Sequence, residues 1–400
     1  MTVLAHSVVS ARPEGWGPLL PAWRALLAAA DDDLRVFMSP EFLSSWLDVF
    51  GDASLRPHLV AFHAPSGECV GLAPWRLQSI SVRFPLVCLS CIGSPWADYT
   101  DILALPAYRS QVVEAAAAYL DGLPGVHMLD LGPSCPGSLT QEVLARLARW
   151  RPHSSREDVC PWFHVEKPRA SVNSQKLRRS RRRAAEIGPV TFSVAGTPAE
   201  AAQALEAFFD LHRRRWAPTP KPSRFLLPEN RRFLQTLAAR ILPTGNLHLS
   251  VQRIGDRIAA VHMGFATSES LQWYMIAWDP DLRVCGPGRL LLGMLVEDCI
   301  QRGLKRLDLM RGAEDYKFDW ADERATVRYW LAFRRTPHGS AARIYYDART
   351  ARYAGRTRRQ PAARRPAQLP RALAATPGAP PVPARARLGR AHPEPGTRTP

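Results

Sequence analysis

A repeated order of elements is the feature that most limits the folds open to this chain of 400 residues. Residues 58–77 contain two apolar runs around a Pro-Ser-Gly turn, and residues 248–266 contain a second such pair around a Gly turn. This pattern predicts two β-hairpins. Each hairpin is followed by a helical segment, at 107–122 or at 288–302, and then by a strand with the letters Leu-Asp-Leu.

The spacing inside the two copies is also similar. His58 precedes Asp130 of the first Leu-Asp-Leu by 72 residues, and His248 precedes Asp308 of the second by 60. One order of elements that recurs at similar spacing predicts a tandem repeat of a single α/β unit. The alternative is a chance similarity between short apolar strands. Alternating strands and helices favour an α/β fold with mixed (α+β) sheets, and this length suits two hydrophobic cores.

The predicted boundaries follow from this repeat. We expect a first unit at 1–168, a basic linker helix at 169–188, a second unit at 189–348 and a tail at 349–400. Further helices are predicted at 17–30, 40–50, 198–216 and 229–241 from apolar spacing and start signals. The linker helix carries six cations around its circumference, namely Lys176, Arg178, Arg179, Arg181, Arg182 and Arg183. It is either a solvated helix or a basic rim for phosphates or an anionic acceptor.

Charge is concentrated at the end of the chain. The net charge is +17, and residues 351–400 hold eleven Arg, ten Pro and one acid, Glu394. Such a segment cannot bury enough apolar surface to offset its ordering entropy, so we predict a disordered tail. A basic tail suits an anionic partner such as nucleic acid or lipid, and the alternative is a solvated extension.

Cysteine usage and hydropathy bear on metal binding and on the compartment. The seven cysteines are an odd number, and most lie in apolar stretches. Cys88 and Cys91 have CxxC spacing, but no second pair or His cluster follows, so we expect no zinc or other metal site. No run reaches the roughly 18 apolar residues of a membrane span. We therefore predict a cytoplasmic protein with no transmembrane segment.

A Pro-Gly loop at 286–288 opens the helix of the second copy. Glycines before a helix leave backbone N–H groups and a helix dipole that favour a phosphate, and Arg289 adds charge. The predicted phosphate-binding residues are Gly286, Gly288, Arg289 and Leu290. Taken alone the signal is weak, because such turns commonly begin helices.

The segment "RGAEDYKFDWA", residues 311–321, follows the second Leu-Asp-Leu strand. A lone acid between leucines, Asp308, needs a partner or a purpose if the strand is buried. Acyl transfer requires a base and oxyanion donors, so Glu314 is a candidate base and Lys317 a candidate oxyanion or substrate donor. Tyr316 is a candidate proton donor to a leaving thiolate. The alternative is a structural salt-bridge loop anchored by its aromatic side chains.

Residues 278–321 resemble the GNAT-type acetyltransferases of the CelD-like kind that is associated with cellulose biosynthesis. The shared motifs are Trp278-Asp279-Pro280, Pro287-Gly288 with Leu290 to Leu292, Gly303, Asp308, Arg311-Gly312, Glu314, Tyr316 and Lys317. Upstream, "FFDLHRRRW" (208–216), "GDRIAA" (255–260) and the basic linker helix are similar to the family as well. The resemblance covers roughly residues 20–340.

The resemblance implies two GNAT-like units in the layout of Fem-type aminoacyltransferases. It implies an acyl-CoA co-substrate without a metal, and acetyl or acyl transfer to an amine or hydroxyl of a small molecule or envelope precursor. Gly286, Gly288 and Arg289 match the family's pyrophosphate loop in a shorter form, and Lys317 matches a lysine near the acceptor. Direct attack is favoured, since no Ser or Cys has a paired His in the sequence.

Two rival functions remain open at this stage. One is Fem-like transfer from aminoacyl-tRNA, for which the basic linker helix and tail would suit RNA phosphates. The other is a non-catalytic scaffold in a polysaccharide-synthesis complex. Only the second copy carries the charged set, because the first is followed by "GPSCPGS" at 132–138. We therefore expect the active site in the second unit, with 40–50, 94–101 and 217–228 as candidates to line the acceptor site.

Overall fold

The computed structural model describes residues 4–81, 84–167 and 174–359. Its strands are β1 Ala5–Val9, β2 Leu55–His63, β3 Cys69–Ser79, β4 Val87–Cys91, β5 Leu103–Ala104, β6 Met128–Ser134, β7 Trp150–His164, β8 Val190–Val194, β9 Leu247–Ile254, β10 Arg257–Ala266, β11 Ser270–Trp278, β12 Arg306–Asp308 and β13 Glu323–Arg334. Its α-helices are α1 Leu20–Ala29, α2 Leu34–Phe37, α3 Pro40–Phe50, α4 Arg109–Gly122, α5 Leu139–Arg146, α6 Gln175–Ala185, α7 Pro198–Trp216, α8 Pro228–Ile241, α9 Pro287–Gln301, α10 Asp315–Phe318 and α11 Pro337–Arg359.

Local start signals account for the helices that were predicted best. The Ser39 hydroxyl accepts from the Phe42 amide at the start of α3, and Thr197 forms a capping box with Glu200 at the start of α7. The predicted helices at 40–50 and 198–216 are confirmed. The helix predicted at 17–30 begins later, at Leu20, since Pro18 lies in a preceding 3₁₀ turn and lacks an N–H.

One 13-stranded sheet contains both halves of the chain, in the order β1-β2-β3-β4-β6-β13-β7-β12-β11-β10-β9-β8, with β5 beside β3. The order has an internal symmetry. Strands β1 to β4, β6 and β7 of the first half correspond, in that order, to β8 to β13 of the second half. The sheet order read from one edge therefore matches the order read from the other edge once corresponding strands are exchanged. The mixed α/β fold with two tandem units of one topology, predicted from the repeat, is confirmed.

The two units exchange their last strands. β13 of the second unit lies between β6 and β7 of the first, and β7 lies between β13 and β12. β7 and β13 pair antiparallel from Trp162 opposite Glu323 to Trp150 opposite Arg334. The backbone hydrogen bonds of each unit's last strand are therefore completed by the other unit, a feature that the predicted boundary at 168 did not anticipate.

Helices cover both faces of this sheet. α1, α3, α7 and α8 contribute to one core cluster, whereas α4 and α5 belong to a second, and α6 and α9 to a third. Alternate residues of β2 reach the first and second clusters, so these helices lie on opposite faces. Edge-to-face rings join the units in the first cluster, since Phe42 of α3 meets Phe233 of α8 at 5.7 Å.

The predicted linker and the predicted tail each lie partly outside the described residues. The linker helix is present as α6, and residues 168–173 before it lie outside the described residues. α11 continues past residue 349, where we predicted the tail to begin, and residues 360–400 lie outside the described part. Within the described ranges, no helix has the length and apolar character needed to cross a bilayer.

We predict that the two units unfold together. Leu331 of β13 is 3% exposed and pairs with strands of the first unit, so Leu331→Ala should remove about 2–5 kcal/mol from a single unfolding transition. Urea denaturation followed by tryptophan fluorescence and circular dichroism measures this. Two separated transitions, with only one of them shifted, would contradict the exchange of strands.

Candidate functional site

β11 and β12 separate after a short parallel pairing. They pair only from Ser270 opposite Arg306 to Gln272 opposite Asp308. The chain after β12 then follows β7, because the amides of Leu309 and Gly312 donate to carbonyls of that strand at 2.9 Å each. Residues 273–278 continue along β10, and no described strand pairs with their other edge. We call the gap between 273–278 and 309–312 the notch.

Helix α9 begins at the mouth of the notch. Gly286 has a φ of 61°, a conformation that disfavours other residues, and there the chain turns into the helix. A Cβ on Gly288 would lie 3.5 Å from Ile276 and 3.7 Å from Trp278, so the first turn of α9 contacts the end of β11. The sequence correctly placed a glycine loop before a helix at this edge.

The helix start offers fewer free amides than the sequence suggested. The N–H groups of Arg289 and Leu290 both donate to the Gly286 carbonyl, at 3.0 and 3.1 Å. The Leu290 side chain is buried in the third core cluster. The expectation of outward-facing amides therefore needs correction for Arg289 and Leu290, and anion binding there depends mainly on side chains.

Basic side chains of α6 and of the start of α9 line a cavity of about 1010 Å³ between these two helices. Its lining includes Lys176, Arg178, Arg179, Arg182, Arg183, Arg283 and Arg289, and no described acid. Lys176 is paired with Asp319 at 3.1 Å. The side chains of Arg179, Arg283 and Arg289 have no hydrogen bond or ion pair within the described residues. The cavity thus combines unpaired guanidinium groups with the positive end of a helix dipole, which together attract phosphate.

Asp308 and Lys317 hold the turn after β12 from two sides. The buried Asp308 carboxylate accepts from the Tyr99 hydroxyl at 2.7 Å and from the Met310 amide at 2.8 Å, and burial raises its pKa. The buried Lys317 ammonium donates to the carbonyls of Met310 and Arg311, at 3.2 and 2.7 Å, and to Glu314 at 3.1 Å. Their polar atoms are engaged, so these two residues position the turn.

Glu314 and Tyr316 remain accessible. The Glu314 side chain is 57% exposed and lies over Gly312, where an added Cβ would meet its carboxylate at 2.3 Å. The Tyr316 hydroxyl accepts from the Trp273 indole N–H at 3.2 Å, so its own proton stays available. Partial burial raises the pKa of Tyr316, which keeps it protonated at neutral pH. Within the segment, Trp320 packs on Phe163 as a core anchor.

The first unit completes this site, which the sequence did not reveal. Asp98 binds Arg311 at 2.5 Å, Tyr99 binds Asp308, and the Trp96 carbonyl accepts from Tyr274 at 2.8 Å. Of the segments expected to line the acceptor site, 94–101 therefore borders the notch, and Arg224 of 217–228 lies over Trp96 at 3.9 Å from the ring centroid. Helix α3 packs on α8. The hydrogen bonds that Asp98, Tyr99 and the Trp96 carbonyl make with the second unit join residues that are more than 170 positions apart, so no local sequence pattern could reveal them.

Within the part of the chain that the structure describes, the first unit has no equivalent notch. β4 ends at Cys91, one residue after its last pairing with β6 at Ser90 and Asp130. Cys88 and Cys91 of the CxxC spacing are buried free thiols. Among the described residues, no group of three or more His, Cys, Asp or Glu side chains is placed to hold a metal ion.

Comparison with known proteins agrees with this geometry. The acetyltransferase (GNAT) domain family matches residues 171–318, which include α6, α9 and the catalytic candidates. Residues 171–318 are therefore similar to a GNAT-type acetyltransferase domain. No curated protein sequence matches the chain significantly.

Solved structures show the fold of the whole. The chain is similar to the crystal structure of FemX at 9% identity and a TM-score of 0.56, over 82% of this chain and 97% of that one. It is also similar to a conserved protein of unknown function from Bacteroides thetaiotaomicron, at 9% identity and 0.52, over 82% and 100%. The Fem-like layout is therefore confirmed for the fold, and the CelD-like type stays a prediction.

We predict that Lys317 acts on stability. Lys317→Met would leave two carbonyls without their donor and should lower the free energy of unfolding by about 1–3 kcal/mol. The control is Lys305→Met, because that lysine is 69% exposed and pairs only with Glu269. Urea unfolding curves measure both. Equal stability of the two variants would show that Lys317 does not hold the turn.

Proposed function

We propose that the protein is an acyltransferase that uses acyl-CoA and binds it in the notch and the adjoining cavity. The observation that carries the proposal is the free edge of β11, which leads to unpaired arginines at the start of α9. CoA joins a phosphorylated nucleotide to an extended arm with amide groups. The arm suits the free N–H and C=O groups of residues 273–278, and the phosphates suit Arg179, Arg283 and Arg289.

The accessible side chains support direct transfer. An amine or hydroxyl of the acceptor attacks the thioester carbonyl carbon, the new C–N or C–O bond forms, and the C–S bond breaks. Glu314 takes the proton that the acceptor loses, and Tyr316 gives a proton to the departing thiolate. A cysteine intermediate is disfavoured, since burial raises the pKa of Cys135 to about 12 and that of Cys160 well above its usual range.

The nature of the acceptor comes from the family resemblance. A small molecule or an envelope or polysaccharide precursor with an amine or hydroxyl group is the acceptor that we propose. The reaction would take place in the cytoplasm, where acyl-CoA is available. The scaffold alternative is disfavoured because a scaffold has no need for a free strand edge beside unpaired arginines.

A second candidate is transfer from aminoacyl-tRNA in the manner of Fem-type enzymes. The seven cations around the cavity favour it, because they outnumber the phosphates of one CoA molecule. RNA phosphates would contact several of them at once, and the binding would then weaken steeply as salt is added.

Calorimetric titration with acetyl-CoA and with bulk tRNA separates the two candidates. We expect acetyl-CoA to bind, and Arg289→Gln to weaken it about 10- to 100-fold through loss of a charge-assisted hydrogen bond. Arg213→Gln is the matched control, since that arginine is exposed and paired with Asp210. Salt-sensitive tRNA binding without acetyl-CoA binding would favour the second candidate instead.

We also predict that Glu314→Gln lowers kcat about 10²-fold or more with little change in KM, because it removes the base but not the binding groups. Asp315→Asn, at the neighbouring exposed acid, should retain activity. Release of CoA in the presence of a panel of amines and amino sugars measures both. Full activity of Glu314→Gln would show that another group accepts the proton.

A further inference from the structure

Two arginines beside the notch have no acidic partner. α7 ends with three consecutive arginines, and Arg213 binds Asp210 at 2.7 Å while Arg214 binds Asp279 at 2.8 Å. The guanidinium of Arg215, the third, has no hydrogen bond or ion pair within the described residues. The guanidinium of Arg224, in a 3₁₀ turn, has none there either. Like Arg179, Arg283 and Arg289 of the cavity, these two guanidinium groups are unpaired among the described residues.

Each of the two guanidinium groups packs on an indole ring. Arg215 lies over Trp278 at 4.7 Å from the ring centroid, and Arg224 lies over Trp96 at 3.9 Å. Both side chains are half-buried, and this burial lowers the pKa of both arginines. A desolvated cation without a counter-ion is costly, whereas an indole covers only the face of a guanidinium and leaves its N–H edge for a ligand.

The segment that joins the two arginines is held at both ends. His212 stacks on Trp216 at 5.6 Å and meets Phe225 edge-on at 4.8 Å. Its Nδ1 forms a 2.8 Å hydrogen bond with the Ser223 hydroxyl. These contacts fix the Pro-rich segment 217–223, so the arginines on either side of it are presented in a defined arrangement.

Both arginines lie beside the proposed chemistry. Arg215 lies on Trp278 at the end of β11, and Arg224 lies on Trp96, whose carbonyl accepts a hydrogen bond from Tyr274 of β11 at 2.8 Å. Each arginine is therefore near groups that border the notch. The nearby acids are already engaged, since Asp98 binds Arg311 and Glu314 binds Lys317.

We propose that Arg215 and Arg224 form a subsite for an anionic group of the acceptor, a phosphate or a carboxylate that lies near its nucleophilic amine or hydroxyl. The inference rests on the proposed acyl transfer, which it narrows to negatively charged acceptors. The subsite is distinct from the cavity of Arg179, Arg283 and Arg289, which takes the phosphates of the acyl donor. Planar guanidinium donors would also orient the acceptor for attack.

The test titrates inorganic phosphate, and separately succinate, into protein saturated with CoA, so that the donor cavity is already filled. Calorimetry should detect at least one of the two anions. Arg215→Gln and Arg224→Gln should each weaken that binding about tenfold or more and leave the Kd for CoA within about twofold. Arg213→Gln should change neither Kd. The anion that binds more tightly identifies the charged group of the acceptor.

The variant Arg224→Lys tests whether weaker anion binding arises from a folding defect. Arg224→Lys keeps the charge and should keep the melting temperature, but it should still weaken anion binding several-fold, because lysine lacks the planar pair of donors. The proposal is overturned if wild-type protein with CoA bound binds neither anion, or if both glutamine variants bind as wild type does. If CoA does not bind but anion binding still requires both arginines, the proposed function fails and the anion subsite stands.

Discussion

The antiparallel pairing of β7 with β13 is the constraint on which the rest of the structure depends. It joins two units into one sheet, because each of these strands completes hydrogen bonds of the other unit. The same pairing positions the chain after β12, whose amides donate to β7. That chain then leaves β11, and the notch results. The geometry of the candidate site in the second unit is thus a consequence of a strand that the first unit provides.

The two units share a topology but differ in their polar side chains. In the first, β4 stops where its pairing with β6 stops, and the following segment carries Asp98 and Tyr99 across to the second unit. In the second, β11 runs on and leaves an edge free. One copy of the repeat therefore supplies the cleft, and the other supplies side chains that hold it in place.

The sequence predicted the parts that depend on local patterns. The repeat, the helices with clear caps and the glycine loop before α9 all follow from short-range spacing and turn chemistry. The exchange of strands did not, because β13 contacts β6 across more than 190 residues. Burial was equally hidden, because Asp308, Lys317 and Leu290 stand beside Glu314 and Arg289 in the sequence motifs. Only the structure shows that the first three side chains are buried, whereas Glu314 is exposed and Arg289 lines the cavity.

In the proposed function, the arm of CoA binds to the backbone groups along the free edge of β11. Hydrogen–deuterium exchange with and without saturating CoA measures this directly, residue range by residue range. We expect bound CoA to slow amide exchange at 273–278 and 283–289 and to leave exchange at 87–91 in the first unit unchanged. Bound CoA with no protection at 273–278, or protection confined to the first unit, would contradict it.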